Sequence, residues 1–102
     1  MPILHTINKS PFERDSLDSC LKFAQGGASL LLIEDGVYAA LAGTVAEPKI
    51  KAALGNLKVY VLGPDFKARG FSEERMIDGI SVVDYAGFVD LAAEHDKVQA
   101  WL

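Results

Sequence analysis

Cysteine is nearly absent from this chain: Cys20 is the only one in 102 residues, and histidine occurs only at His5 and His95. A lone thiol cannot close an intramolecular disulfide. It also cannot complete the ligand set of a structural zinc, because no second histidine stands at ligand spacing. Glycine-rich phosphate loops are missing too. Neither GxGxxG nor GxxxxGK[ST] occurs, and no GxSxG elbow presents a serine nucleophile. No cofactor and no metal are therefore expected. Basic charge is scarce: 10 Lys and Arg stand against 14 Asp and Glu, a net charge of −4. A protein that tracks nucleic-acid phosphates carries a basic stripe, so direct nucleic-acid binding is disfavoured, although a role near RNA through a partner stays open. No uncharged apolar run reaches the roughly 18 residues of a membrane span. Met1–His5 has neither the basic nor the long apolar region of a secretory leader. The expected location is the cytoplasm, where a free thiol persists.

What the chain does have is apolar mass. Half its residues are hydrophobic, enough for one packed domain over residues 1–102. So small a domain gains from further burial in an oligomer, and an obligate interface of roughly 2,000 Å² or more is expected. The apolar runs alternate with helical stretches. Ile3–Ile7 reads as a strand. Ser10-Pro11-Phe12-Glu13 resembles a capping box that opens a helix, with Asp15 and Asp18 as a second possible start. Leu17, Cys20, Leu21 and Ala24 then share one helix face, and Gly26-Gly27 stops it. Ser29–Ile33 is continuously apolar, as a strand covered on both faces must be. A helical stretch over Val37–Leu41, a helix over Glu47–Leu54, a strand over Lys58–Leu62 and a short helix from Gly63 follow. Ile80–Val83 reads as a strand. Asp84 should cap a last helix whose Tyr85, Phe88, Val89 and Ala92 face inward. Val98–Leu102 reads as a terminal strand or a docking tail, with Trp101 and Leu102 buried against the body of the chain or a sister subunit. The fold class is α/β: a small single-domain parallel sheet flanked by helices, with flavodoxin-like layering.

In such sheets function collects at the strands' carboxyl ends. Those ends carry Asn8-Lys9-Ser10, Glu34-Asp35-Gly36, Gly63-Pro64-Asp65 and Asp84-Tyr85. Asp35-Gly36 reads as a turn, with Gly36 at positive φ, more readily than as a catalytic carboxylate. Glu34 and Asp35 are not an acid/base pair, since neighbours along a strand point to opposite faces. His5 reads as a satisfied core or edge residue, and His95 as a helix C-terminal cation. Cys20 has two readings. Its helical spacing makes it a small buried hydrophobe. Alternatively it is a sulfur-binding or docking thiol, though Asp18 nearby raises its pKa and no Lys or Arg shares its face.

Several stretches together are similar to the DsrH/TusB family of the DsrE-like superfamily. They are Leu4-His-Thr-Ile-Asn-Lys-Ser-Pro-Phe12, Leu30-Leu-Leu-Ile-Glu-Asp-Gly-Val37, Lys58-Val-Tyr-Val-Leu62 with Ala68-Arg-Gly70, Asp84-Tyr-Ala-Gly-Phe-Val89, and Ala100-Trp101. They run in order over nearly the whole chain. Cys20 in the first helix makes the resemblance closer to the DsrH branch than to the TusB branch. The resemblance implies a small cytoplasmic subunit of a heterohexameric sulfur relay with DsrE-type and DsrF-type sister subunits. In the Dsr branch, persulfide sulfur passes to a DsrC-type acceptor during oxidation of stored sulfur. In the Tus branch it passes to a TusE-type acceptor for transfer-RNA wobble-uridine thiolation. The main acceptor cysteine is implied to lie on the DsrE-type sister, with no matching residue here. That leaves Cys20 as a candidate second thiol, exchanging persulfide by attack on the outer sulfur, or leaves the chain a purely structural subunit.

Overall fold

A computed structural model describes residues 2–102; Met1 lies outside the described residues. Among them the chain forms one sheet of five strands: β1 (Ile3–Ile7), β2 (Ser29–Leu32), β3 (Lys58–Leu62), β4 (Ser81–Val83) and β5 (Lys97–Trp101). The order is β4-β3-β2-β1-β5, and every pairing is parallel. β2 and β3 are buried by neighbours on both edges and both faces, which is why their sequences are nearly uninterrupted apolar runs. The ladder continues one residue past β2, where the Ile33 amide donates to the Ile7 carbonyl at 2.9 Å.

Four α-helices connect the strands: α1 (Ser16–Phe23), α2 (Glu47–Ala53), α3 (Gly63–Ala68) and α4 (Tyr85–Glu94). α1 does not start at the Ser10 box. The Ser10 hydroxyl accepts the Phe12 amide at 3.2 Å, and the Ser10 carbonyl accepts those of Glu13 and Arg14. The side chain thus closes a local turn instead of a helix end, as serine readily does. Asp15 precedes the helix, and Ser19 donates to its carbonyl. Between β2 and α2 the chain makes a 3-10 segment over Glu34–Ala40, three residues earlier than Val37. Here the positive φ belongs to Glu34, at +49°, and not to Gly36. Gly36 is required for space: a Cβ there would overlap the Ile7 carbonyl, with its carbon 2.8 Å away.

The core divides into two layers. Leu17 and Cys20 of α1, Val37 and Ala40 of the 3-10 segment, Ile50 of α2 and Phe66 of α3 pack on Ile7, Leu30, Leu32, Val59 and Val61. Leu91, Phe88 and Ala92 of α4 pack on Leu4, Leu31, Tyr60 and Val83 across the other face. Tyr85 and Val89, expected to point inward, point to solvent. Gly87 sets that rotation. A Cβ at Gly87 would stand 2.9 Å from the Val83 Cβ, so this position rests on the sheet. Leu91, one turn on from Gly87, and Phe88 beside it are carried inward with it. Asp84 caps α4 as expected, its Oδ1 accepting the Gly87 amide at 2.8 Å.

β5 is an edge strand held by β1 and by one side-chain pair. Trp101 Nε1 donates to His5 Nδ1 at 3.0 Å, and Phe23 meets the indole edge-on at 5.9 Å between centroids. Ser16 Oγ donates to the Leu102 carbonyl. Trp101 is half-buried, and the Leu102 side chain is 78% exposed, so the body of the chain covers the first and not the second. His95, at the end of α4, places Nδ1 2.6 Å from the Leu91 carbonyl and Nε2 2.8 Å from Ser29 Oγ. It ties the helix end to β2 by hydrogen bonds.

Gly36→Ala should cost roughly 3 kcal/mol, because the Ile7 backbone cannot yield without breaking the ladder. A melting temperature lower by on the order of 15 °C is the expected readout; an unchanged one would contradict the close approach. Burial lowers the pKa of His5 below its ordinary 6.5. The folded state therefore refuses a proton that the unfolded chain accepts. Its stability contribution is full above pH 6.5 and is lost as pH falls from there through the folded-state value. Thermal melts from pH 7.5 to 5, compared with His5→Gln, should show that acid-side loss in the native chain and its absence in the variant. Parallel curves would remove His5 from the account.

Candidate functional site

Strand order decides where a site can form. β1, β2, β3 and β4 follow one another in one direction across the sheet, and β5 returns to the far side of β1. The loop after β3 therefore turns to one face and the loop after β4 to the other, opening a crevice between their carboxyl ends. A cleft of about 720 Å³ lies there, lined by Gly63, Pro64, Phe66, Met76, Val82 and Asp84 among others. Its floor is apolar. The Asp84 carboxylate is committed to the α4 cap, and Lys67 and Glu73 stand at the wall. No cysteine or histidine lines it. The chemistry its floor offers is reception of an apolar group.

The neighbouring strand end is a tied loop. The Glu34 amide donates to Asp65 Oδ2 at 2.7 Å. Arg69 donates from Nε and Nη2 to Asp35 Oδ1, at 3.0 and 2.8 Å, and from Nη1 to the Asp65 carbonyl at 3.2 Å. Asp35 is thus a partner for Arg69 rather than a free carboxylate. At the end of β1, Asn8 Oδ1 is buried and has no hydrogen-bond partner among the described residues. The four strand-end segments read from the sequence lie where expected, but only the last two share the cleft. Arg69 and the cleft itself were not legible as a unit, because both depend on strand order. The one available signal was the co-occurrence of Glu34-Asp35-Gly36 with Ala68-Arg69-Gly70.

Cys20 lies elsewhere, on the inner face of α1. It is fully buried in the main core layer, and its carbonyl accepts the Ala24 amide at 2.8 Å. Burial pushes its thiol up to about 12. It lines neither the cleft nor the groove between α1 and α2, which Asp18 and Lys49 bridge at 2.7 Å. No group of three or more His, Cys, Asp or Glu side chains able to hold a metal occurs among the described residues. No helix among them is long and apolar enough to cross a membrane.

Comparison with known proteins fits this fold. The family described as DsrH like protein matches residues 9–98. Protein TusB of Pectobacterium parmentieri is 39% identical over 99 residues, covering 97% of this chain and all of the relative. Protein TusB of Shigella flexneri is 35% identical over the same shares. Among solved structures, the ychN protein of E. coli has a TM-score of 0.86 at 22% identity, covering 98% of each chain. Protein Tm0979 of Thermotoga maritima has a TM-score of 0.63 at 27% identity, covering 90% of this chain and 92% of the other. The two sequence relatives bear the name TusB, where Cys20 alone points to the DsrH branch. The chain belongs to the DsrH-like protein family, with the DsrE-like fold and with full-length relatives named TusB.

Proposed function

We propose that this chain is the TusB-type subunit of a sulfur relay that serves thiolation of the transfer-RNA wobble uridine. The observation that carries the reading is its full-length similarity to proteins named TusB. Its partners in this reading are TusD-type (DsrE-type) and TusC-type (DsrF-type) sister subunits of a heterohexamer and a TusE-type acceptor in the cytoplasm. Its own part is to shape docking surfaces. Persulfide exchange needs an accessible thiolate. The full burial of Cys20 and its raised pKa support placing the sulfur-bearing cysteine on a sister chain. Oxidation of stored sulfur through a DsrC-type acceptor is the second reading. It rests on the presence of Cys20 in the first helix, and the burial of that thiol takes weight from it.

Replacing TusB of Escherichia coli with this chain tests the main reading. Wobble 2-thiouridine in bulk transfer RNA, quantified by mass spectrometry, should be restored. A folded chain that joins the relay without restoring it would overturn the assignment.

Cys20 separates the structural role from the chemical one. Cys20→Ala should be milder than Cys20→Ser, because a buried unpartnered hydroxyl costs roughly 1–3 kcal/mol. In both variants relay activity should track melting temperature alone. After incubation of the complex with a persulfide donor, mass spectrometry should find added sulfur on a sister chain. A reductant-sensitive gain of one sulfur on Cys20, or equal activity loss in both variants without a stability change, would make it a working thiol.

A further inference from the structure

The outer face of α4 has no role in the fold. Tyr85, Val89 and Ala93 fall at i, i+4 and i+8, with Ala86 beside them, so they form one stripe along the helix. All four are exposed, Tyr85 at 59% and Val89 at 67%. The opposite side of the same helix, Phe88, Leu91 and Ala92, already covers the sheet. α4 is thus apolar on two sides, the pattern of a helix buried between two layers. Val98 of β5, which pairs with Leu4 in the sheet row below Leu91, is also exposed on this face.

Charge says what kind of layer is missing. Asp90 and Glu94, four residues apart and both exposed, border the stripe. Asp84 and Asp96 stand at the two ends of the helix. No Lys or Arg occurs between Arg75 and Lys97. On the strands beneath, register places Lys58 on the α4 face, at the amino end of β3 beside Ser29; it is the one basic side chain there among the described residues. A second copy laid on this stripe would bring two acidic rows together, and like charges juxtaposed across an interface oppose association. A different chain with an apolar helix face bordered by lysine and arginine satisfies both the stripe and its rim.

We propose that the α4 stripe is a hetero-docking surface for such a basic-bordered helix face on a sister subunit, and that its acidic row selects against a second copy of this chain. The identity of the sister rests on the relay reading above; the surface and the sign of its charge come from α4 itself.

The test uses the full chain with its TusC-type and TusD-type sister chains. Association is followed by size-exclusion chromatography with light scattering at low salt and at about 0.5 M salt, where exposed charges are screened. Val89→Glu and, as a second variant, Tyr85→Ser should each weaken association about tenfold or more, as loss of a central apolar contact does. Their melting temperatures when alone should not change. Val45→Glu, at another exposed valine far along the chain, should leave association intact. The double substitution Asp90→Lys with Glu94→Lys should also weaken it, and added salt should shrink that difference. If both α4 apolar variants assemble like the native chain, the docking surface is overturned while the relay reading stands. If the native chain alone dimerises and Val89→Glu breaks that dimer, the charge selection is overturned. If the native chain joins neither sister, the relay reading falls and the proposed partner with it.

Discussion

Parallel strands can be joined only by crossovers, and a right-handed crossover lays its helix on the face set by its direction of travel. That constraint organises the molecule. Three steps in one direction put α1, the 3-10 segment, α2 and α3 on one face. The single return step to β5 leaves α4 to cover the other. The crowded face buries Cys20; the sparse face leaves α4 exposed along its back. Where the two directions part, at the carboxyl ends of β3 and β4, the cleft opens.

Segments that carry the family resemblance meet in space. Asp35 of the Glu34–Val37 stretch receives Arg69 of Ala68-Arg69-Gly70. His5 of the first stretch receives the indole of Trp101 from the last. Each contact joins elements far apart in sequence and fastens a loop or an edge strand to the sheet. Gly36 belongs to the same set, since its missing side chain lets the loop after β2 cross the Ile7 carbonyl. These residues read as a description of how the fold is closed rather than of a reaction centre.

The thiol shows how surroundings weigh on residue type. Cys20 singled itself out by rarity, and rarity suggested chemistry. Its environment is Leu17, Ile7 and other core side chains, with no cation to favour the thiolate. Burial raises the cost of charge on sulfur and so disfavours the thiolate here.

The sequence by itself determined the class of the fold and most of its elements. β1 and β3 match their apolar runs residue for residue, and Asp84 caps α4 as its side-chain chemistry requires. Burial of Cys20 followed from its spacing with Leu17 and Leu21, because helical periodicity is a local property. The tertiary structure decided what depends on neighbours distant in sequence. It moved the start of α1 past the Ser10 turn, put the positive φ at Glu34, and turned Tyr85 and Val89 outward by seating Gly87 on Val83. It also fixed the strand order, and with it the cleft. Local patterning says which residues prefer to be buried; which face they are buried against is settled only when the strands take their places in the sheet.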